Sequence, residues 1–206
     1  KGYVENARWV YGDVMFVTLH VPGSNNNNAV TEGEAGDQCG LSGTSTERTA
    51  EDCAGAVAEY TARNAANLKW INKSFQKVKE MGLMGVAITM QANMGFDDPN
   101  TEEVEPAVGY ADGSNGFSAT LKELWEQAMD FDGQVLLMHG DSHLLRIDTP
   151  FSTAGWDQGA YSGPALDNFT RCMAMGSPTI NWVKVCVDPA GDSLFTFSTV
   201  VVEENH

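Results

Sequence analysis

Short apolar runs that end in turn residues recur along this chain and predict its strands. Residues 14–20, Val-Met-Phe-Val-Thr-Leu-His, stop at Pro22 and Gly23, and residues 85–90 and 133–138 are similar runs. Runs of this length, bounded by turn residues, are typical of buried strands. Three more strands are predicted toward the end of the chain, the last over residues 194–202.

Two segments have the spacing of amphipathic helices instead. Apolar residues recur at helical intervals from about residue 51 to 81, and Gly82 follows as a stop signal. A second helix is predicted over residues 118–129. The apolar stripes of the two helices are formed by Leu68, Ile71, Phe75 and Val78, and by Leu121, Leu124, Trp125 and Ala128.

The order of these elements predicts the fold class. Strands alternate with helices early and follow one another late, which is typical of an α/β chain (α+β mixed) whose mixed sheets are flanked by helices. A length of 206 residues is enough to bury a substantial core, so we expect one domain over residues 1–206. The polar segments at 25–46, 97–116 and 151–167 are predicted loops.

Charge narrows the classes of partner. The chain has 12 basic and 28 acidic residues and a net charge of −16. The negative electrostatic potential of such a chain repels phosphate backbones and anionic lipids, so we expect neither nucleic acid nor membrane partners. No apolar run approaches the roughly 20 residues that a membrane-spanning helix needs. The first residue is Lys1, in sequence that reads as interior, so an upstream segment is expected.

The four cysteines form two local pairs with equal spacing. Cys39 precedes Cys53 by fourteen positions, and Cys172 precedes Cys186 by the same number. A hairpin turning at residues 176–181 would place Cys172 opposite Cys186, and closing such a loop contributes roughly 3 kcal/mol. A zinc site is the alternative, but no Cys-x-x-Cys spacing supports it. Two disulfides predict an oxidising location, either extracellular after secretion or periplasmic in a bacterium.

Two Asn-x-Ser/Thr sequences start at Asn72 and Asn168. They are candidate glycosylation sites if the source is a eukaryote, and one or two are expected by chance in a chain of this length.

The segment His139-Gly-Asp141-Ser-His143 concentrates side chains that bind metals. It follows a buried strand directly, and the carboxyl ends of strands are where open sheets present binding groups. Imidazole and carboxylate groups can converge on one divalent ion. The alternative is that both histidines satisfy backbone groups or lie in solvent.

Three segments carry a resemblance to the second half of the calcineurin-like metallophosphoesterases. Residues 67–71, Asn-Leu-Lys-Trp-Ile, are similar to a family helix of the form Gln-Leu-x-Trp-Leu. The strand over 85–90 follows at the family's distance, and residues 136–143 resemble the strand that leads into the family's Gly-His-x-His turn. The segments that resemble a secreted branch of the family are 5–9, 18–26, 168–171 and 182–185.

The resemblance implies a β-sandwich phosphoesterase fold with a divalent metal site that hydrolyses a small phosphate ester. It places Gln91 and Asp141 where the family has metal-binding histidines, and it matches His143 directly. Amide and carboxylate oxygens suit manganese, magnesium or calcium better than zinc or iron, although the sequence does not distinguish these metals. The resemblance gives His139 the role of a further ligand or an orienting base, and it gives Arg146 that of neutralising substrate phosphate.

The family's first half, which supplies further ligands, has no counterpart in these residues. We therefore expect an upstream fragment of the same precursor, or self-assembly, to complete the domain. A competing hypothesis is a catalytically degenerate extracellular module that serves in binding or assembly, because a fold does not dictate a function. A third is a calcium-stabilised extracellular domain that uses the acidic residues of segment 97–116.

Overall fold

The computed structural model describes residues 2–28, 49–96, 116–152, 164–178 and 181–202. Within them the chain is mixed α/β, with a six-stranded mixed sheet, a two-stranded sheet and two long helices. This confirms the predicted class. The elements, in chain order, are β1 (Arg8–Tyr11), β2 (Val14–Thr18), the single turn α1 (Gly23–Asn26), α2 (Ala50–Met81), β3 (Gly85–Thr89), α3 (Ser118–Met129), β4 (Gln134–His139), β5 (Arg146–Asp148), β6 (Phe169–Met173), β7 (Trp182–Val187) and β8 (Phe195–Val200).

The large sheet has the strand order β1-β2-β3-β4-β6-β5. Its four central strands are parallel, and the two edge strands, β1 and β5, run antiparallel to their neighbours. Strands β2, β3 and β4 read as almost continuous apolar sequence because both faces of the sheet are covered. Because the four central strands are parallel, their carboxyl ends all lie at the same edge of the sheet.

Helices α2 and α3 pack on one face of the sheet. Ile71, Phe75 and Val78 of α2 lie at or below 1% exposure against the strands. A capping box between Thr49 and Asp52 begins α2, and Gly82, with φ of 64°, ends it. The two helices follow the prediction from periodicity within one or two residues at each end. No helix among the described residues combines the length and the apolar character that crossing a membrane requires.

The hairpin of β7 and β8 covers the other face. Leu194 and Phe195 are buried against Val14, Ala87 and Leu136 of the large sheet. The molecule therefore has three layers: helices, the six-stranded sheet and a two-stranded sheet.

The hairpin predicted between Cys172 and Cys186 does not form, and both cysteines are free thiols. Cys172 lies buried on β6, where it faces the hairpin layer, whereas Cys186 is exposed on β7. Strand β7 pairs with β8, with Trp182 opposite Val200, and not with β6. The predicted Cys172–Cys186 disulfide is thus wrong. Cys53 is disulfide-bonded, as predicted, and Cys39 lies outside the described residues.

We expect the two free thiols to differ in reactivity. A maleimide reagent without reductant should label Cys186 in the native protein and Cys172 only after unfolding, because Cys172 is 3% exposed and burial raises the pKa of its thiol. Peptide mapping by mass spectrometry measures both sites. Recovery of the unlabelled peptides joined by a Cys172–Cys186 bond would contradict the structure.

Candidate functional site

The segments that follow β2, β3 and β4 meet at the carboxyl edge of the parallel strands, as expected for an open α/β sheet. They bring together Gly23, Gln91 and Asp141. These residues are more than 40 positions apart in the sequence, so the sheet topology alone makes them neighbours.

Gln91 and Asp141 are in direct contact. The Gln91 side-chain amide nitrogen donates to Asp141 Oδ1 at 2.9 Å, and the Gln91 Oε1 accepts from the backbone N–H of Gly23. The second carboxylate oxygen, Asp141 Oδ2, accepts from the backbone N–H of Asn93 at 3.1 Å. Both Gln91 and Asp141 are exposed. The edge therefore presents a fixed pair of hard oxygen donors to solvent.

Two features show that this arrangement restricts the backbone. A Cβ atom added at Gly23 would lie 3.0 Å from both carboxylate oxygens of Asp141, so a larger residue there would press on the carboxylate. Asp141 and His143 both have left-handed backbone, with φ of 82° and 62°. Such conformations cost of order 1 kcal/mol or more in non-glycine residues and are found where a site needs them.

Asn93 and Ser142 extend the polar edge. Asn93 donates from its side chain to Ser142 Oγ at 2.8 Å and accepts from the N–H of Gly95 at 3.3 Å. Sequence reasoning assigned no role to either residue. They lie beside Gln91 and Asp141 in the chain and tie the segment after β3 to the segment after β4.

His143 is exposed, and its described contacts are with the turn at residues 176–177 rather than with Gln91 or Asp141. Its Nδ1 lies 3.2 Å from the carbonyl oxygen of Ser177, and its own carbonyl accepts from the N–H of Gly176 at 3.3 Å.

His139 is placed in the interior and not on the exposed edge. It is the last residue of β4 and alternates with Val135 and Leu137, which face the helices. Its side chain is 4% exposed, and its Nδ1 lies 3.1 Å from the carbonyl oxygen of Gly140. Burial lowers the pKa of His139 to about 4, and nearby Arg171 acts in the same direction. The ring is therefore neutral at pH 7, and its position in the interior leaves it poorly placed as a ligand at the edge.

Two arginines lie near this end of the sheet. Arg146, the candidate for phosphate, begins edge strand β5 and is partly exposed. Arg171 on β6 is 1% exposed, bonds Asp148 through Nε at 2.8 Å and lies 5.2 Å from the ring centroid of Phe96. Sequence reasoning missed this ion pair, although a lone arginine inside the apolar run of β6 is a signal that it needs a partner.

The asparagine run forms an ordered element that the sequence predicted only as the start of a loop. Asn25, Asn26 and Asn27 all have φ near 57°, which makes a left-handed turn. Arg63 of α2, 1% exposed, donates through Nη2 to the carbonyl of Asn26 at 2.8 Å and through Nη1 to the carbonyl of His20 at 3.0 Å. Its Nε bonds Glu59, and that hydrogen bond lowers the pKa of the Glu59 carboxyl. Arg63 thus fixes the chain just before and after Gly23.

Among the described residues, no three His, Cys, Asp or Glu side chains lie close enough together to hold a metal ion. The potential ligand atoms that do lie close together are the side-chain oxygens of Gln91 and Asp141, which suit magnesium, calcium or manganese. These oxygens could coordinate a divalent cation from one side. Each of them accepts a hydrogen bond and still has a lone pair left for the cation. The acidic segment expected to hold calcium lies outside the described residues.

The two glycosylation candidates differ in their surroundings. Asn72 is exposed on α2. At Asn168, the amide nitrogen that a glycan would modify donates to the carbonyls of Ala128, Phe131 and Gly133 at 2.9, 2.8 and 3.1 Å.

Comparisons with protein-family models, with curated proteins and with solved structures gave no significant match to this chain.

Proposed function

We propose that this chain is the ligand-bearing second part of a calcineurin-like phosphoester hydrolase, with its site at the carboxyl edge of the parallel sheet. The observation that carries the proposal is the contact between Gln91 and Asp141 at 2.9 Å. These are the two positions where the resemblance expects neighbouring metal ligands. They are distant in the sequence, yet they meet on an exposed edge.

In this proposal Asp141 and Gln91 hold a divalent cation through oxygen, and His143 supplies an imidazole nitrogen. A bound cation would polarise a phosphoryl oxygen and lower the pKa of a water molecule, which is the chemistry such hydrolases need. Asn93 and Ser142 carry hydrogen-bond donors beside the pair and are suited to orienting phosphoryl oxygens. Arg146 contributes positive charge, which matters because the net charge of −16 otherwise repels phosphate esters.

The remaining ligands would come from a preceding segment of the precursor or from another copy of the chain. Exposed aromatic residues support such an association. Trp9 and Tyr11 on edge strand β1 are 52% and 80% exposed, and Trp182 on β7 is 51% exposed. Large apolar side chains grouped on an edge strand are a surface that another segment normally covers. The disulfide at Cys53 supports an extracellular or periplasmic location.

A specific observation favours a second candidate, a binding or assembly module without catalysis. Gln91 donates to Asp141, and the backbone N–H groups of Gly23 and Asn93 donate to the remaining side-chain oxygens of the pair, so the edge is stable without an ion. A degenerate site that kept its fold would have this appearance.

Metal titration separates the two candidates. We expect isothermal titration with Mn²⁺ to show binding that weakens at least tenfold in Asp141→Asn, because a charged oxygen ligand is lost. Asp132→Asn is the matched control, because Asp132 is an exposed carboxylate just before β4, at the opposite edge of the sheet. The same samples are assayed for manganese-dependent hydrolysis of bis(4-nitrophenyl) phosphate. Absence of both binding and hydrolysis in the wild-type protein would leave the binding module as the better reading.

A further inference from the structure

The turn at residues 176–177 contacts His143 at both its backbone and its ring. Gly176 donates its N–H to the His143 carbonyl at 3.3 Å. A Cβ atom added at Gly176 would lie 2.8 and 2.9 Å from the Cδ2 and Cγ atoms of the imidazole. Real Cβ atoms do not approach other atoms so closely, so the ring packs directly against the glycine backbone.

The hydrogen bond on the far side of the ring determines where its proton lies. The carbonyl oxygen of Ser177 is 3.2 Å from Nδ1 of His143. A carbonyl oxygen can only accept, so Nδ1 must carry the hydrogen. In the neutral imidazole the lone pair is then on Nε2. This is the reverse of the preference of an imidazole free in water, whose proton is mainly on Nε2.

We propose that Gly176 and Ser177 are positioning residues that hold His143 as its Nδ1–H tautomer and present Nε2 as the acceptor or ligand atom. The inference rests on the proposed function for what Nε2 binds, but the tautomer itself follows from geometry alone. Histidine ligands of metals commonly donate their other ring nitrogen to a carbonyl, and loss of such a partner weakens metal binding ten- to hundredfold. The left-handed backbone of His143, with φ of 62°, is explained by the same contacts.

Nitrogen NMR of the protein labelled with ¹⁵N-histidine tests the tautomer directly. At a pH where the ring is neutral, we expect the His143 signals to show a protonated, pyrrole-type Nδ1 and a pyridine-type Nε2. The signals are assigned by their loss in His143→Gln. A predominantly protonated Nε2 in the wild-type protein would overturn the proposal.

Two variants separate the roles of the turn residues. Ser177→Ala keeps the backbone carbonyl and should leave the tautomer unchanged. Gly176→Ala should displace the ring and shift the population toward the Nε2–H form. If Gly176→Ala does not fold, the wild-type measurement still decides the question. A folded Gly176→Ala protein with an unchanged tautomer would remove Gly176 from the positioning role.

Adding Zn²⁺ to the same samples distinguishes this inference from the proposed function. Binding should move the Nε2 signal of wild-type His143, with affinity ten- to hundredfold weaker in Gly176→Ala. If the Nδ1–H tautomer is present but zinc leaves Nε2 unaffected, the positioning stands and the metal site fails. If the tautomer is absent while zinc binds elsewhere, the positioning fails.

Discussion

Replacing Arg63 with methionine is expected to lower the free energy of unfolding by about 3 kcal/mol. The methionine fills similar space but donates no hydrogen bonds, so the buried carbonyl and side-chain oxygens of Asn26 both lose their Arg63 donor. The His20 carbonyl also loses Arg63 but keeps its hydrogen bond from Asn67. Each buried acceptor left without a donor costs about 1–3 kcal/mol. Because Glu59 is 44% exposed, its carboxylate regains water, and we assign little of the loss to that ion pair. Urea unfolding followed by circular dichroism measures the change.

Lys77→Met on the same helix is the matched control. Lys77 is half-exposed and, within the described part of the chain, pairs only with Glu80, at 3.4 Å, so its replacement should change stability by less than about 0.5 kcal/mol. Similar stabilities for the Arg63 and Lys77 variants would show that Arg63 does not hold the asparagine turn.

The second large effect is expected at Asn168. Asn168→Ala should lower the free energy of unfolding by about 2–3 kcal/mol, because one side-chain amide donates to three carbonyls between the end of α3 and the start of β4. Asn72→Ala is the natural comparison, since both residues begin an Asn-x-Ser/Thr sequence. Asn72 lies exposed in a helix, where alanine is the better helix former, so that variant should be unchanged or slightly more stable. Equal melting temperatures for the two variants would refute the structural role of Asn168.

The elements that the sequence predicted well are those whose pattern is local. The stripe of Ile71, Phe75 and Val78 identifies α2 because helical spacing is visible within one window of the chain. Strand pairing is not local in this sense. Residues 169–175 and 182–187 both read as strands, but nothing in them specifies that β7 pairs with the later β8. The wrong prediction of a Cys172–Cys186 disulfide follows from this. The equal spacing of the cysteines suggested that their strands pair, but in the sheet they do not.

The candidate site, too, was predicted in part and missed in part. Gln91 and Asp141 were predicted as neighbours from the resemblance, and they touch in the structure; whether they bind metal stays a prediction. His139 was treated as a turn residue, although the alternation of Val135, Leu137 and His139 places it on the inner face of a strand that continues to residue 139. Arg63 was missed for a related reason. It lies eight positions before Ile71, on the buried stripe of α2, and a charged residue there depends on the asparagine turn for its partners. That turn has backbone dihedral angles that no periodicity reveals.

The length of α2 has a consequence for access to the edge. Its 32 residues span about 48 Å, whereas a five-residue strand of the sheet spans roughly 17 Å. Arg63 lies level with His20 at the carboxyl end of β2, so the helix between residues 50 and 62 extends beyond the sheet on the side of Gln91 and Asp141. That overhang carries Glu51, Asp52 and Glu59 and no basic residue. The negative charge of this overhang attracts a small cation that diffuses toward the edge. It repels a long polyanion before the polyanion reaches Gln91 or Asp141.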